Sequence, residues 1–135
     1  MKKQVITIGK RDFEIGKRPY VMGILNVTPD SFSDGGKYGD LDAALKHTEE
    51  MIKEGADIID VGGESTRPGH VKISVAEEIE RTCFVIEAIK ERFEIPVSLD
   101  TYKYQVAQAG ILAGADLIND IWGFKWEMVE RLRSI

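Results

Sequence analysis

Tyr20-Val21-Met22-Gly23-Ile24-Leu25 runs straight into Asn26-Val27-Thr28-Pro29-Asp30-Ser31-Phe32-Ser33-Asp34-Gly35-Gly36. The first six residues are apolar, and they predict a buried strand over about 20–26. An amide ends the strand. A polar loop follows, with two acids, two serines, a phenylalanine and two glycines. Gly35 and Gly36 leave its backbone permissive, so the loop can order around a ligand and release it. Thr-Pro-Asp-Ser and Asp-Gly-Gly are also ordinary turn chemistry, and at this point both readings stand.

The same alternation recurs downstream. Asp40 has the look of an N-cap, and Leu41, Ala44, Leu45, Thr48, Met51 and Ile52 follow at helical spacing to Gly55. Ile58-Ile59-Asp60-Val61 reads as a second strand, which opens into the polar stretch Gly62-Gly63-Glu64-Ser65-Thr66-Arg67-Pro68-Gly69. Ser74 and Glu77 have the spacing of a capping box, and Ile79, Cys83, Ile86 and Ile89 give one apolar helical stripe. Val97-Ser98-Leu99-Asp100 is a third strand. A third helix runs to about Ala113 and stops at Gly114. Leu117-Ile118-Asn119-Asp120 is a fourth strand, and a last helix is expected over 126–133. Upstream, residues 4–8 and 12–15 flank Gly9-Lys10-Arg11 and predict a small hairpin that covers the bottom of the sheet.

Strands alternating with helices imply a parallel sheet with covering helices. An internal echo supports this: Gly55-Ala56-Asp57-Ile58-Ile59-Asp60 resembles Gly114-Ala115-Asp116-Leu117-Ile118-Asn119, two β-α units later. Asn26, Asp60, Asp100 and Asn119 are then expected at the carboxyl ends of strands, where barrels and open α/β sheets hold ligands.

Composition narrows the class. The sequence has 135 residues, a formal net charge of -5, 43% apolar and 30% charged residues, as in a soluble globular domain. The acidic balance argues against a nucleic-acid surface. Cys83 is the only cysteine, so there is no internal disulfide and no cysteine-based metal site; a reducing compartment fits. No apolar stretch spans a membrane and no signal-length core follows Met1, so a cytoplasmic protein is expected.

Strand ends carrying amides and carboxylates suit a flat heterocycle with ring N–H and amino donors, gripped by Asp100 and Asn119. Asn26 and the loop acids could hold magnesium through oxygen. Thr66, Arg67 and backbone amides near Gly62, Gly63 and Gly69 suit an anion, Arg67 through its planar fork of donors. Each residue has a plainer reading. Strand-end Asp and Asn often cap the next helix or satisfy loop amides. Cys83, Trp122 and Trp126 read as packing. His47 and His70 lack partners at metal-ligand spacing.

The combination is more specific than its parts. Gly23 to Gly36 closely resembles the first signature of dihydropteroate synthases, and Asp60 to Gly69 resembles the second. Ser98-Leu99-Asp100-Thr101 and Ile118-Asn119-Asp120-Ile121 resemble that family's next two pterin-facing strand ends. The resemblance implies an α/β fold of the TIM (β/α)8 barrel family, here the first four β-α units plus an N-terminal β-hairpin, with residues 1–135 as a single pterin-binding domain. It implies a magnesium-assisted transferase of folate biosynthesis that joins 6-hydroxymethyl-7,8-dihydropterin diphosphate to 4-aminobenzoate. On that basis Asp100, Asn119 and Ile121 line the pterin pocket, and Asn26 meets the metal and the diphosphate. Thr66 and Arg67 contact the diphosphate side. Phe32, Pro68 and Gly69 form the aminobenzoate site, and Asp34 faces the positive charge that develops on the pterin methylene. Donors on the leaving anion and a carboxylate on the cation make a coherent device.

A complete barrel of this kind takes about 250 residues. The chain is therefore expected to be an amino-terminal part, inactive alone, with open edge strands that favour a homodimer. Two other readings remain at this stage. One is a pterin-binding module of a methyltetrahydrofolate-dependent methyltransferase, which has no need of the two long loops. The other is a folded remnant that serves only as a scaffold.

Overall fold

The computed structural model describes residues 4–27, 37–63 and 73–120. In chain order the elements are β1 (Gln4–Ile8), β2 (Arg11–Ile15), β3 (Met22–Asn26), α1 (Lys37–Lys53), β4 (Ile58–Gly62), α2 (Val75–Arg92), β5 (Val97–Asp100), α3 (Tyr104–Ala113) and β6 (Leu117–Asn119). β1 and β2 form an antiparallel hairpin, and β3-β4-β5-β6 form a parallel sheet in that order. Each strand lies beside the one before it, with no reversal. A doubly wound sheet reverses its strand order at a switch point; a barrel wall does not. The expected α/β alternation and barrel class are thus present as four neighbouring strands of a partial barrel wall.

The register decides what each face carries. Leu25, Val61, Leu99 and Ile118 form one cross-sheet row. Leu25, Val61 and Leu99 are buried, as are Ile59 and Val97 one layer below. The helices pack on this face. Gly23 lets α1 approach, since a Cβ there would meet the Met51 sulfur at 2.8 Å. Ala44, Leu45 and Thr48 of α1 and Val85, Ile86 and Ile89 of α2 complete the core. Each fully buried Ile, Val or Leu contributes about 1.5–3 kcal/mol relative to exposure.

Helix ends follow local chemistry. The Ser74 hydroxyl accepts from the Glu77 N–H at 3.1 Å and caps α2 as its spacing predicts. α1 and α3 end alike. Gly55 and Gly114 take positive φ, 109° and 117°. The Gly55 N–H donates to the Ile52 carbonyl and the Ala56 N–H to the Met51 carbonyl; Gly114 and Ala115 do the same to Ile111 and Gly110. These are paired Schellman bonds, and a side chain at either glycine would be strained.

Some expectations shift. Asp40 lies inside α1, which starts at Lys37, so it is no N-cap. β3 starts at Met22, because Tyr20 turns its hydroxyl to the hairpin: it accepts from the Glu14 N–H at 2.7 Å and donates to the Glu14 carbonyl at 3.0 Å. The buried stripe of α2 is Glu78, Thr82, Val85, Ile86 and Ile89, with Ile79 and Cys83 on its flank. Two polar residues thus stand where apolar ones were expected. Asp60 sits in the middle of β4, and Gly62 occupies the strand end, because β4 runs two residues past it. The hairpin does cover the bottom of the sheet. Arg11 donates to the carbonyls of Asp57 and Glu94, both just before strands.

Candidate functional site

Strand periodicity puts alternate residues on opposite faces. The row Asn26, Gly62, Asp100 and Asn119 runs straight across the four strand ends, each residue registered with the next. It lies on the face opposite the helices. A Cβ at Gly62 would lie 3.7 Å from Asp100 Oδ2 and 3.9 Å from Asn26 Oδ1, so both polar atoms reach toward one point. With no side chain of its own, Gly62 leaves an opening between an amide and a carboxylate. The sequence-expected residues Asn26, Asp100 and Asn119 therefore come together.

Asp60 and Ser98 form the floor, two residues earlier on the same face. Both are buried, and among the described residues Asp60 Oδ1 and Ser98 Oγ have no hydrogen-bond partner. Burial pushes the Asp60 carboxyl above the usual range, and nearby Ser98 and Asn119 offset part of that rise. Asp100 is half-buried, and its carboxyl is pushed up to about 6, first by burial and then by the charges of Asp60, Asp120 and Glu78. A cluster of acids with few donors of its own is matched to a ligand rich in N–H groups. Ser98 stands in the third strand and in a family-like stretch, but the sequence alone assigned it no role in the site. Its signal was the alternation of Ser98 and Asp100 along one strand.

Beside the polar row the same face is apolar. Ile24 is 60% exposed, with Met22 and Leu117 also exposed. A flat ring with polar edges meets both kinds of surface here.

Among the described residues no three His, Cys, Asp or Glu side chains gather as metal ligands. Asn26 offers one amide oxygen at an exposed strand end. Such a donor fits magnesium held mostly by substrate phosphate and water; it does not make a protein cage. Phe32, Asp34, Thr66, Arg67, Pro68, Gly69 and Ile121 lie outside the described residues, as do His70, Trp122, Trp126 and the last expected helix. His47 is exposed on α1. Cys83 is half-buried, and burial pushes its thiol up. No helix among the described residues is long and apolar enough to cross a membrane.

TIM-barrel enzymes hold their ligands at the strand ends of such a parallel wall. The family profile described as pterin binding enzyme matches residues 22–135, and the chain belongs to that family. It is 67% identical over 118 residues to the dihydropteroate synthase of Clostridium beijerinckii, covering 87% of this chain and 44% of that protein. The dihydropteroate synthase of Xanthomonas albilineans, solved with 4-aminobenzoic acid, superposes with a TM-score of 0.85 at 41% identity, covering 96% of this chain and 48% of that one. The enzyme of Burkholderia cenocepacia, solved with 7,8-dihydropteroate, gives 0.79 at 42% identity, covering 97% and 43%. The chain thus spans less than half the length of these relatives.

Proposed function

We propose that this chain is the pterin-gripping, amino-terminal part of a dihydropteroate synthase. The complete reaction joins 6-hydroxymethyl-7,8-dihydropterin diphosphate to 4-aminobenzoate. The bond from the pterin methylene to diphosphate oxygen breaks, a bond to the arylamine nitrogen forms, and that nitrogen loses a proton. The row of Asn26, Asp100 and Asn119 carries the reading. Asp100, once ionised, accepts from ring N–H and amino donors, and Asn119 both gives and takes beside it. Asn26 holds the diphosphate end. Magnesium, when bound there, would neutralise charge on the departing diphosphate. Thr66 and Arg67 meet the same anion, Asp34 faces the methylene cation, Ile121 lines the pterin pocket, and Phe32, Pro68 and Gly69 seat the aminobenzoate.

The chain alone is proposed to bind the pterin without turnover. Its site-side apolar residue Ile24 is 60% exposed, so this wall is open to water on the face where the pterin would sit. Self-association belongs to the same reading, because among the described residues β3 and β6 are the outer strands of the sheet. A monomer by light scattering would remove that part.

Calorimetric titration with the pterin diphosphate, with and without magnesium, tests the reading. Binding that weakens at least tenfold in Asn119→Ala is expected. No heat at any magnesium concentration would overturn it, and binding of methyltetrahydrofolate instead would point to a methyltransferase module. Product from the pure chain and both substrates would refute inactivity.

A further inference from the structure

Glu78 lies on the buried face of α2 at 2% exposure. Its Oε2 accepts from the Thr101 hydroxyl at 2.8 Å. Its Oε1 stands 3.0 Å from the Lys103 ammonium, which also donates to the Ile73 carbonyl at 2.8 Å. The Thr101 hydroxyl in turn accepts from the Lys103 N–H at 3.2 Å. On its other side Glu78 meets the chain leaving β4. A Cβ on Gly63 would come within 3.2 Å of Glu78 Cγ and 2.8 Å of Thr82 Cγ2. Thr101 extends the contact once more, since its N–H donates to the Asn119 carbonyl at 3.1 Å.

Glu78 therefore packs its Cγ beside Gly63 at the end of β4 and sets its carboxylate on the segment after β5, and through Thr101 it reaches the end of β6. A carboxylate is costly to bury this deeply without ion-pairing and hydrogen bonds, and an apolar side chain could fill the same volume. What Glu78 adds is a fixed geometry. It joins three strand ends from behind, and its hydrogen bond and ion pair go to Thr101 and Lys103 rather than to the row itself.

We propose that Glu78 is a positioning residue: through Thr101 and Lys103 it fixes where Asp100 and Asn119 stand relative to the chain leaving β4. The inference rests on those two residues being the pterin ligands. It predicts that Glu78 and Thr101 act as one unit on ligand affinity.

The test uses the 135-residue chain with Glu78→Gln, Thr101→Val and both together. Glu78→Gln keeps shape and an acceptor but removes the negative charge that faces Lys103. Thr101→Val keeps the ion pair, so it carries the test if Glu78→Gln fails to fold. Without ligand, amide exchange at Thr101 should quicken at least tenfold relative to Ile59 and Leu99 in the same variant. With a 7,8-dihydropterin probe, affinity should fall about tenfold in each single variant and no further in the double. Parent-like exchange at Thr101, exchange quickened equally at all three amides, or additive losses of affinity would overturn the proposal. If the parent binds no dihydropterin, the ligand assignment fails, and the exchange result alone decides whether Glu78 positions the segment.

Discussion

Asp116 and Val97 exchange two hydrogen bonds. The Asp116 N–H donates to the Val97 carbonyl at 2.8 Å, and the Val97 N–H donates to the Asp116 carboxylate at 2.9 Å. Asp57 and Val21 do the same at 2.7 and 2.8 Å. Each aspartate precedes its own strand and clasps the start of the neighbouring one, β6 to β5 and β4 to β3. Each also holds a cation: Lys90 lies 2.7 Å from Asp116, and Arg18 donates to both oxygens of Asp57 at 2.7 and 3.1 Å. The repeated Gly-Ala-Asp is thus one device used twice, a helix stop followed by a strand clasp.

Removing either carboxylate orphans a backbone donor. Asp57→Ala and Asp116→Ala should each lower unfolding stability by about 1–3 kcal/mol in urea titrations. The two losses should add, because the clasps share no partner.

Arg18 beside Asp57 holds that carboxyl below the usual range. A depressed folded-state pKa gives stability above the ordinary aspartate pKa, lost as pH falls through the folded value. The stability gap between parent and Asp57→Asn should be complete at neutral pH and close progressively below about pH 4. A gap that is flat down to pH 2 would contradict the Arg18 pairing.

Asp100 has the opposite sign. Its carboxyl is raised to about 6, so the folded state holds a proton that the unfolded chain has lost. Stability should therefore fall as pH rises from about 4 through 6. Asp100→Asn should be more stable than the parent at pH 7 and bind dihydropterin at least tenfold more weakly. Pterin affinity of the parent should rise with pH through about 6, as the acceptor ionises. Asp60→Asn should bring the Asp100 titration, followed by carboxyl NMR, down toward the ordinary range.

α3 approaches β5 through Gly110, where an added Cβ would run into the buried Leu99 side chain. Gly110→Ala should cost about 1–3 kcal/mol despite the better helix propensity of alanine. Thermal unfolding of this variant against Ala109→Gly, on the same helix, would separate crowding from propensity.

Periodicity and punctuation made the fold legible in the sequence. The apolar runs at 20–26, 58–61, 97–100 and 117–120 lie within two residues of β3 to β6 at either end. Gly55 and Gly114 marked helix ends because only a positive φ completes those turns. Asn26, Asp100 and Asn119 were legible as a candidate site because each ends a strand. Register was not: Asp60 was expected at a strand end and Gly62 in the loop after it, and only pairing with Ser98 and Asp100 separates floor from rim. Glu78 was missed for a related reason. A glutamate on a helix reads as solvated until Lys103, 25 positions along the chain, turns out to face it.

The unbroken order β3-β4-β5-β6 bears on how the molecule is made. Each strand after β3 finds its neighbour already synthesised, so pairing within these four strands can keep pace with the ribosome. Most of the sheet's hydrogen bonds thus close over one intervening helix, and the wall grows outward as translation proceeds.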